Sequence, residues 1–264
     1  MNSKEINLEE RREIQLKMLD ELHDFCESHK IRYSLAYGTL IGAIRHKGFI
    51  PWDDDVDIIM PIQDMLRLKR ELKSETIKYC DVDTEKHYEF PFSRIAFRPT
   101  YQKLGRKGKT YGVNIDLYPV ISLPKSVKEI EKYFNKAKHL MKIRMFFTRL
   151  RNFCSRYLGT ESVIGFDWAI RAYRSHILRI KSTNYDPKST FFFIVSGPIT
   201  IPDFLTYKLD LFEETKLAQF EGHKYTITSE YDTFLKIQYG DYMQLPPEEK
   251  RHPIHGGHYY WIEK

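Results

Sequence analysis

The stretch that most constrains this chain is Tyr37 to Met60, YGTLIGAIRHKGFIPWDDDVDIIM. Four carboxylates, Asp53, Asp54, Asp55 and Asp57, run directly into the apolar residues Val56, Ile58, Ile59 and Met60. The apolar run, stopped by Pro61, predicts a strand over Asp55 to Met60. Along a strand, residues i and i+2 share a face. Asp55 and Asp57 should therefore project together, their Cα atoms roughly 6–7 Å apart, while Val56 and Ile58 enter a core. Two carboxylates at that spacing repel each other unless something positive lies between them. Hard oxygen donors suit a divalent cation, Mg2+ or Mn2+.

The front of the stretch complements the back. Gly38-Thr39 follows a short apolar segment, predicted as a strand over Ile31 to Tyr37, and opens a helix-like run, Leu40 to Arg45. A small residue pair at a strand-to-helix turn lets a phosphate approach the backbone, and a helix N-terminus favours the anion. Arg45 can clamp a phosphate bidentately, with His46 and Lys47 adding charge. A second stretch, YGVNIDLYP from Tyr111 to Pro119, alternates Val113, Ile115 and Leu117 with Asn114, Asp116 and Tyr118. A strand there buries the first set and presents the second. On these residues alone, Asp116 either solvates an edge strand or serves as a third carboxylate beside Asp55 and Asp57.

At 264 residues the chain is long enough for one large or two small domains, and 42% hydrophobic content supports a sizeable core. The formal net charge of +6 suits an anionic substrate, an anionic membrane surface or nucleic acid, without choosing among them. The three cysteines, Cys26, Cys80 and Cys154, form no CxxC pair, so neither a zinc ribbon nor a disulfide framework is expected. The charged start, Lys4 to Arg12, carries no apolar leader, and no run approaches the ~20 apolar residues that span a bilayer. The expectation is a cytoplasmic protein that can touch the inner face of a membrane.

In chain order, Leu8 to Ser28 reads as an amphipathic helix with Ile14, Leu19, Leu22 and Phe25 inward and Glu9 to Arg12 outside. A helix over Gln63 to Leu72 and strands over Thr76 to Val82 and Ser93 to Phe97 follow. Tyr101 to Lys109 reads as a basic, turn-rich segment: either a solvated hairpin loop, or one in which Arg106, Lys107 or Lys109 touches phosphate or acceptor. Ser126 to Leu158 is a long, strongly basic helical region: either a core-packed helix with a solvated face, or a surface attracted to anionic lipid or a polyanionic glycan. Glu161 to Lys181 is helical, Thr190 to Val195 a buried strand, Thr215 to Phe220 a strand, and Thr226 to Ile237 a helix capped by Thr228 or Ser229. His252, His255 and His258 recur every third residue, but Pro253 and Gly256-Gly257 oppose a rigid zinc-binding helix. No Walker, GxGxxG or GxSxG motif occurs, and kinase and NAD chemistry are disfavoured.

The run GTLIGAIRHKGFIPWDDDVDI closely resembles the signature of the LicD family of phosphotransferases, related to the fukutin group. The segment from Phe220 to Arg251, including YDTFLKIQYGDYMQLPPEEKR, resembles its C-terminal signature. The resemblance implies an α+β fold: a nucleotidyltransferase-like mixed sheet flanked by helices, with an added helical region. It implies one composite domain over 1–264, with a catalytic core at 30–120, a helical insertion at 125–182 and a C-terminal part, 190–264, completing the site. It implies a Gly-Ser/Thr turn at Gly38-Thr39, a metal pair at Asp55 and Asp57, and Asp116 as third carboxylate. It further implies a tail histidine, His255 or His252, reaching the ligand.

The activity implied is metal-dependent transfer of phosphocholine from CDP-choline to a sugar hydroxyl of teichoic acid, lipopolysaccharide or capsule precursors, releasing CMP. A quaternary ammonium calls for aromatic faces, which Trp52, Tyr37, Tyr118 and Tyr239 can supply. Phosphoethanolamine, aminoethylphosphonate or ribitol phosphate are alternative groups. A nucleotidyltransferase releasing pyrophosphate is an alternative reaction. A non-enzymatic RNA- or glycan-binding module would leave the acids without a task, and no RNA-binding motif appears; nucleic acid is not an expected partner.

Overall fold

Strand β1 (Glu5–Ile6) leads into helix α1 (Leu8–His29) through Asn7, whose side chain accepts from the Glu10 N–H at 2.9 Å while Glu10 bonds back to the Asn7 N–H. This reciprocal cap explains why the helix starts where it does. Ile14, Met18, Leu19, Leu22 and Cys26 form its buried face. Arg11, expected outside, is buried as well, because it pairs with Asp54 across the fold. This structure is a computed structural model that describes residues 4–85, 88, 90–104, 108–123, 126–158, 166–178, 186, 188–189, 192–194, 206–207, 210–253 and 257–263.

The chain continues through β2 (Ser34–Leu35), α2 (Tyr37–Ile41) with a π turn (Gly42–His46), β3 (Asp57–Pro61), α3 (Ile62–Glu71), β4 (Ile77–Cys80), β5 (Ser93–Phe97), β6 (Thr100–Leu104), β7 (Gly108–Tyr111) and β8 (Asn114–Ser122). Then come α4 (Val127–Leu158), α5 (Phe166–Leu178), β9 (Phe192–Ile194), β10 (Thr206–Tyr207), β11 (Thr215–Phe220), β12 (His223–Thr228), α6 (Tyr231–Tyr239) and β13 (Tyr259–Trp261). The fold is α+β.

Strand β8 organises the main sheet. One edge pairs β3 in parallel, with Asp57 opposite Asp116; the other pairs β5 along its first half and β9 along its last. Strand β2 extends the sheet beside β3, and β4 beside β5. Both faces are covered. Ile58, Ile95, Ile115 and Leu117 join one core with α1, while Cys80, Ala96 and Ile121 join a second core with Phe134, Ala137 and Met141 of α4 and Ile170 and Tyr173 of α5. The basic helical region is thus seated, through its first half, on the sheet that carries the acids.

Two further expectations are corrected. The acidic strand begins at Asp57 rather than Asp55, so Asp55 lies on the approach to the ladder and not in it. The hairpin expected over Tyr101 to Lys109 forms as β6–β7, and β6 also pairs β13; Arg106 and Lys107 lie outside the described residues. The helix expected from Thr226 starts only at Tyr231. Glu221 and Gly222, both at positive φ, turn β12 back onto β11. The run Tyr225, Thr226, Ile227, Thr228 is aromatic and β-branched, fitted to a strand, and the Thr228 N–H donates to Ser34 Oγ at 2.9 Å. The long basic helical region is the single 32-residue α4.

Candidate active site

The acidic loop is held from behind by α1. The Arg12 guanidinium donates to the carbonyls of Ile50 at 2.9 Å, Pro51 at 3.0 Å and Asp53 at 2.6 Å. Arg11 donates to Asp54 Oδ2 at 3.0 Å in a buried pair and stacks over the Tyr259 ring. Two adjacent cations on one helix therefore fix the path of four acids. Asp54 turns inward, and Asp53, Asp55 and Asp57 are left to line a pocket.

Gly38 stands where a side chain cannot: a Cβ at that position would collide with the Asp53 carboxylate. The backbone approach expected for a phosphate is, in this arrangement, made by Asp53. Thr39 is buried beneath the pocket, and its Oγ1 accepts the Asp57 N–H at 2.9 Å, setting the first residue of β3. Tyr37 adopts φ +46° at the start of α2, a strained value for a residue with a large side chain. Its ring is held edge-on against Tyr118 at 5.3 Å and tilted on Phe234 at 5.8 Å.

The register of β3 and β8 sets Asp57 beside Asp116, as the alternation of Asn114, Asp116 and Tyr118 anticipated. Asp116 is not bare. Arg94 Nε donates to Oδ1 at 2.6 Å and Nη2 to Oδ2 at 3.0 Å, and Asn114 Nδ2 donates to Oδ1 at 2.9 Å. Arg94 is sandwiched on Phe90, its guanidinium carbon 3.9 Å from the ring centroid. The Tyr118 hydroxyl lies 3.2 Å from Asp57 Oδ1 and 3.3 Å from Asp116 Oδ2, with one proton to offer the two.

The electrostatics follow from this crowding. Burial, then the Asp55 charge, push Asp53 up to about 7. Asp57, fully enclosed, is pushed well above the ordinary carboxylate range by burial and by Asp55, Asp116 and Asp53 in turn. Like charges in a poorly solvated place hold protons unless a cation replaces them.

Whether a metal fits can be judged from the donors. Asp53, Asp54 and Asp55 can bring one oxygen each within 4.8 Å of one another. Asp54 Oδ1 is buried without a hydrogen-bond partner. Asp55 and Asp57 influence each other through their charges. An all-oxygen, strongly anionic set fits Mg2+ or Mn2+, and fits zinc poorly.

The pocket above these acids encloses about 750 Å3. Tyr37, Trp52 and Tyr239 supply aromatic wall; Arg45, Arg251 and His252 supply cationic or hydrogen-bonding groups; Asp241 adds a further acid. Arg45 faces the pocket while donating to the carbonyls of Tyr242 and Gln244, so it also ties the C-terminal segment to the acidic half. Arg251 stacks over Trp52 at 5.6 Å. Among the tail histidines, His252 lines the pocket, His258 sits on Glu5 at 2.5 Å, and His255 lies outside the described residues.

Sequence reasoning missed Arg11, Arg12, Arg94 and Arg251. The first two carry a faint signal, since paired arginines follow a capping box and contribute little to an amphipathic face. Arg94 carries one as well, lying in a strand at a position that alternation places opposite Ile95.

A family model described as "LicD/FKTN/FKRP, nucleotidyltransferase domain" matches residues 30–159, which include β2 to β8 and therefore Asp53, Asp54, Asp55, Asp57 and Asp116. The lipopolysaccharide cholinephosphotransferase LicD of Haemophilus influenzae is 31% identical over 270 residues, covering 96% of this chain and 97% of that protein. An uncharacterized protein of Rickettsia prowazekii is 37% identical over 54 residues, 20% of each chain. Similarity that runs the length of both chains, with the matched domain carrying the acidic pocket, places this protein in the LicD family.

Proposed function

We propose that the protein is a metal-dependent transferase that moves phosphocholine from CDP-choline to a sugar hydroxyl of a cell-surface glycan precursor, releasing CMP. The observation that carries this reading is the convergence of Asp53, Asp55 and Asp57 at the base of a pocket walled by Tyr37, Trp52 and Tyr239. Full-length similarity to a lipopolysaccharide cholinephosphotransferase supports the transferred group and the acceptor class. Lipopolysaccharide, teichoic acid and capsule precursors all offer the required hydroxyl.

Asp55 and Asp57 would hold Mg2+ or Mn2+, with Asp53 beside them. The metal, when bound, would neutralise charge on the diphosphate and its leaving group. The residues of the chain do the rest. Arg251, stacked on Trp52, is placed to hold a phosphate oxygen, and Arg45 lies on the same wall. Because Arg251 covers one face of Trp52, the quaternary ammonium is better served by the rings of Tyr37 and Tyr239, with Asp241 countering its charge. Asp116 either completes the metal site or accepts the proton of the attacking hydroxyl. Four donors already meet its two oxygens, two from Arg94, one from Asn114 and the Tyr118 hydroxyl, so either role would begin with Tyr118 turning its proton to Asp57.

The test is CMP release from CDP-choline with Mg2+, with and without EDTA, for the wild type and Asp55→Ala, with a glycolipid acceptor mixture present. Metal-dependent release that vanishes in the variant is expected. Release from CDP-ethanolamine or CDP-ribitol instead would change the group transferred and keep the site. Pyrophosphate released from a nucleoside triphosphate, with no CMP from any CDP donor, would overturn head-group transfer.

A further inference from the structure

Helix α4 changes character along its length. Its first half is seated on the sheet by the buried residues Tyr133, Phe134, Ala137 and Met141. From Lys142 to Tyr157 no described residue of the helix is buried. Phe146 is 62% exposed, Phe153 55% and Tyr157 66%, and Leu150 is exposed as well. At ~100° per residue these four fall in one sector about 60° wide. Lys142 and Arg149, both exposed, border that sector on one side. The rings of Phe153 and Tyr157 touch, with centroids 4.8 Å apart, so the stripe is continuous at its outer end.

The charge of this segment is one-sided. Between Lys132 and Leu158 there are eight Lys and Arg and neither Asp nor Glu. An exposed row of large apolar side chains marks an interaction surface rather than a solvated face. Its basic border says what covers it. A second copy of this chain would set two acid-free, basic faces against each other, which like-charge repulsion opposes. An anionic surface with an apolar interior satisfies both halves of the pattern.

We propose that the outer half of α4, residues 142–158, lies along an anionic lipid bilayer. Phe146, Leu150, Phe153 and Tyr157 enter the headgroup region, and Lys142 and Arg149 meet lipid phosphates. A helix used this way lies in the interface and does not cross it. Among the described residues no helix is long and apolar enough to cross. The inference rests on this surface alone and stands whichever group the acidic pocket transfers.

The experiment is co-sedimentation of the full chain with large vesicles of phosphatidylcholine, with and without about 30% phosphatidylglycerol, at low and high salt. Two variants are compared by the same assay: Phe146→Ser/Phe153→Ser/Tyr157→Ser and Lys142→Glu/Arg149→Glu, each checked by its thermal midpoint. Tyr157→Ser alone serves where the triple variant fails to fold. The wild type is expected to bind the anionic vesicles and not the neutral ones. The triple variant should lose at least about tenfold in partitioning, Tyr157→Ser and the charge variant several-fold. Equal binding to both vesicle types, or binding that survives the serine substitutions unchanged, would overturn the proposal. So would concentration-dependent dimerisation that disappears in the triple variant while no vesicle binding is seen, since the stripe would then belong to a second copy.

Discussion

Asp81, at the end of β4, and Asp57, at the start of β3, are buried carboxylates around the same sheet, and their surroundings are opposite. Asp81 accepts from Lys69 at 2.7 Å, from Arg174 at 3.0 Å and from the backbone N–H groups of Asp83 and Thr84 at 2.8 and 3.2 Å. Its charge is answered on every side, and the answer joins α3 to α5. Asp57 has the Tyr118 hydroxyl at 3.2 Å and, around it, Asp53, Asp55 and Asp116. A buried acid with matched partners ties elements together. One set among further acids is held in electrostatic deficit, and a fold keeps such a deficit where something else is to be bound. The contrast is what supports the role proposed for Asp57, without reference to any relative.

The sharpest way to break this contrast is to neutralise each acid in turn. Asp57→Asn removes a like charge and keeps the shape, so thermal stability should hold or rise. CMP release should fall at least about 10^3-fold, roughly 4 kcal/mol in the barrier. Activity within tenfold of the wild type would mean that Asp57 is not part of the chemistry. Asp81→Ala should do the reverse. It leaves Lys69 and Arg174 with the half-exposed Asp83 in place of a buried partner, costs about 3 kcal/mol of stability and lowers the midpoint by roughly 6–12 °C. The folded fraction should keep its rate within about threefold. A lost rate at an unchanged midpoint would erase the distinction.

Arg94 is where the two kinds of carboxylate meet, since it satisfies Asp116 inside the deficient cluster. Arg94→Met should expose Asp116 to Asp57 without a counter-charge and cost about 2 kcal/mol, together with most of the activity. Adding Asp116→Asn to that variant should restore much of the stability and none of the activity. The non-additivity would show that Arg94 acts through Asp116. Independent, additive losses in a double-mutant cycle would say that it does not.

Much of the site could be read in the sequence because its carriers are local. Asp55 and Asp57 stand beside an apolar run, and the alternation around Asp116 survives folding as the register Asp57 to Asp116. What stayed hidden is the set of cations that make the acids tolerable. Arg11 is 43 residues from Asp54, Arg94 is 22 from Asp116, and Arg251 reaches Trp52 from the far end of the chain. No periodicity links such partners; only the packed fold does. The same limit explains the missed strand β12. Tyr225 to Thr228 favour a strand by composition, but the turn at Glu221-Gly222 that fixes it acts through pairing with β11. Thr39 also accepts the Asp57 N–H, a contact no sequence pattern shows, since the direction of a helical side chain depends on where the next strand lies.

The smallest expected effect sharpens the contrast within the cluster itself. Asp53 is pushed up to about 7 by burial and then by Asp55, whereas an unfolded aspartate ionises near 4. Between about pH 4 and pH 7 the folded chain therefore holds a proton that the unfolded chain has released, and stability falls as pH rises through that window. Above about 7 the cost is fully present. Asp53→Asn removes it, so the variant should melt about 2–4 °C above the wild type at pH 8, roughly 1 kcal/mol, and the gain should fade as pH falls toward 4. Mg2+ should raise the wild-type midpoint more at pH 8 than at pH 5, because protons and the cation compete for the same oxygens. The variant should show a reduced Mg2+ shift at pH 8. A Mg2+ shift that is independent of pH and of residue 53 would place the cation elsewhere. It would leave Asp53 as an acid whose charge is eased by the Asp54 backbone N–H.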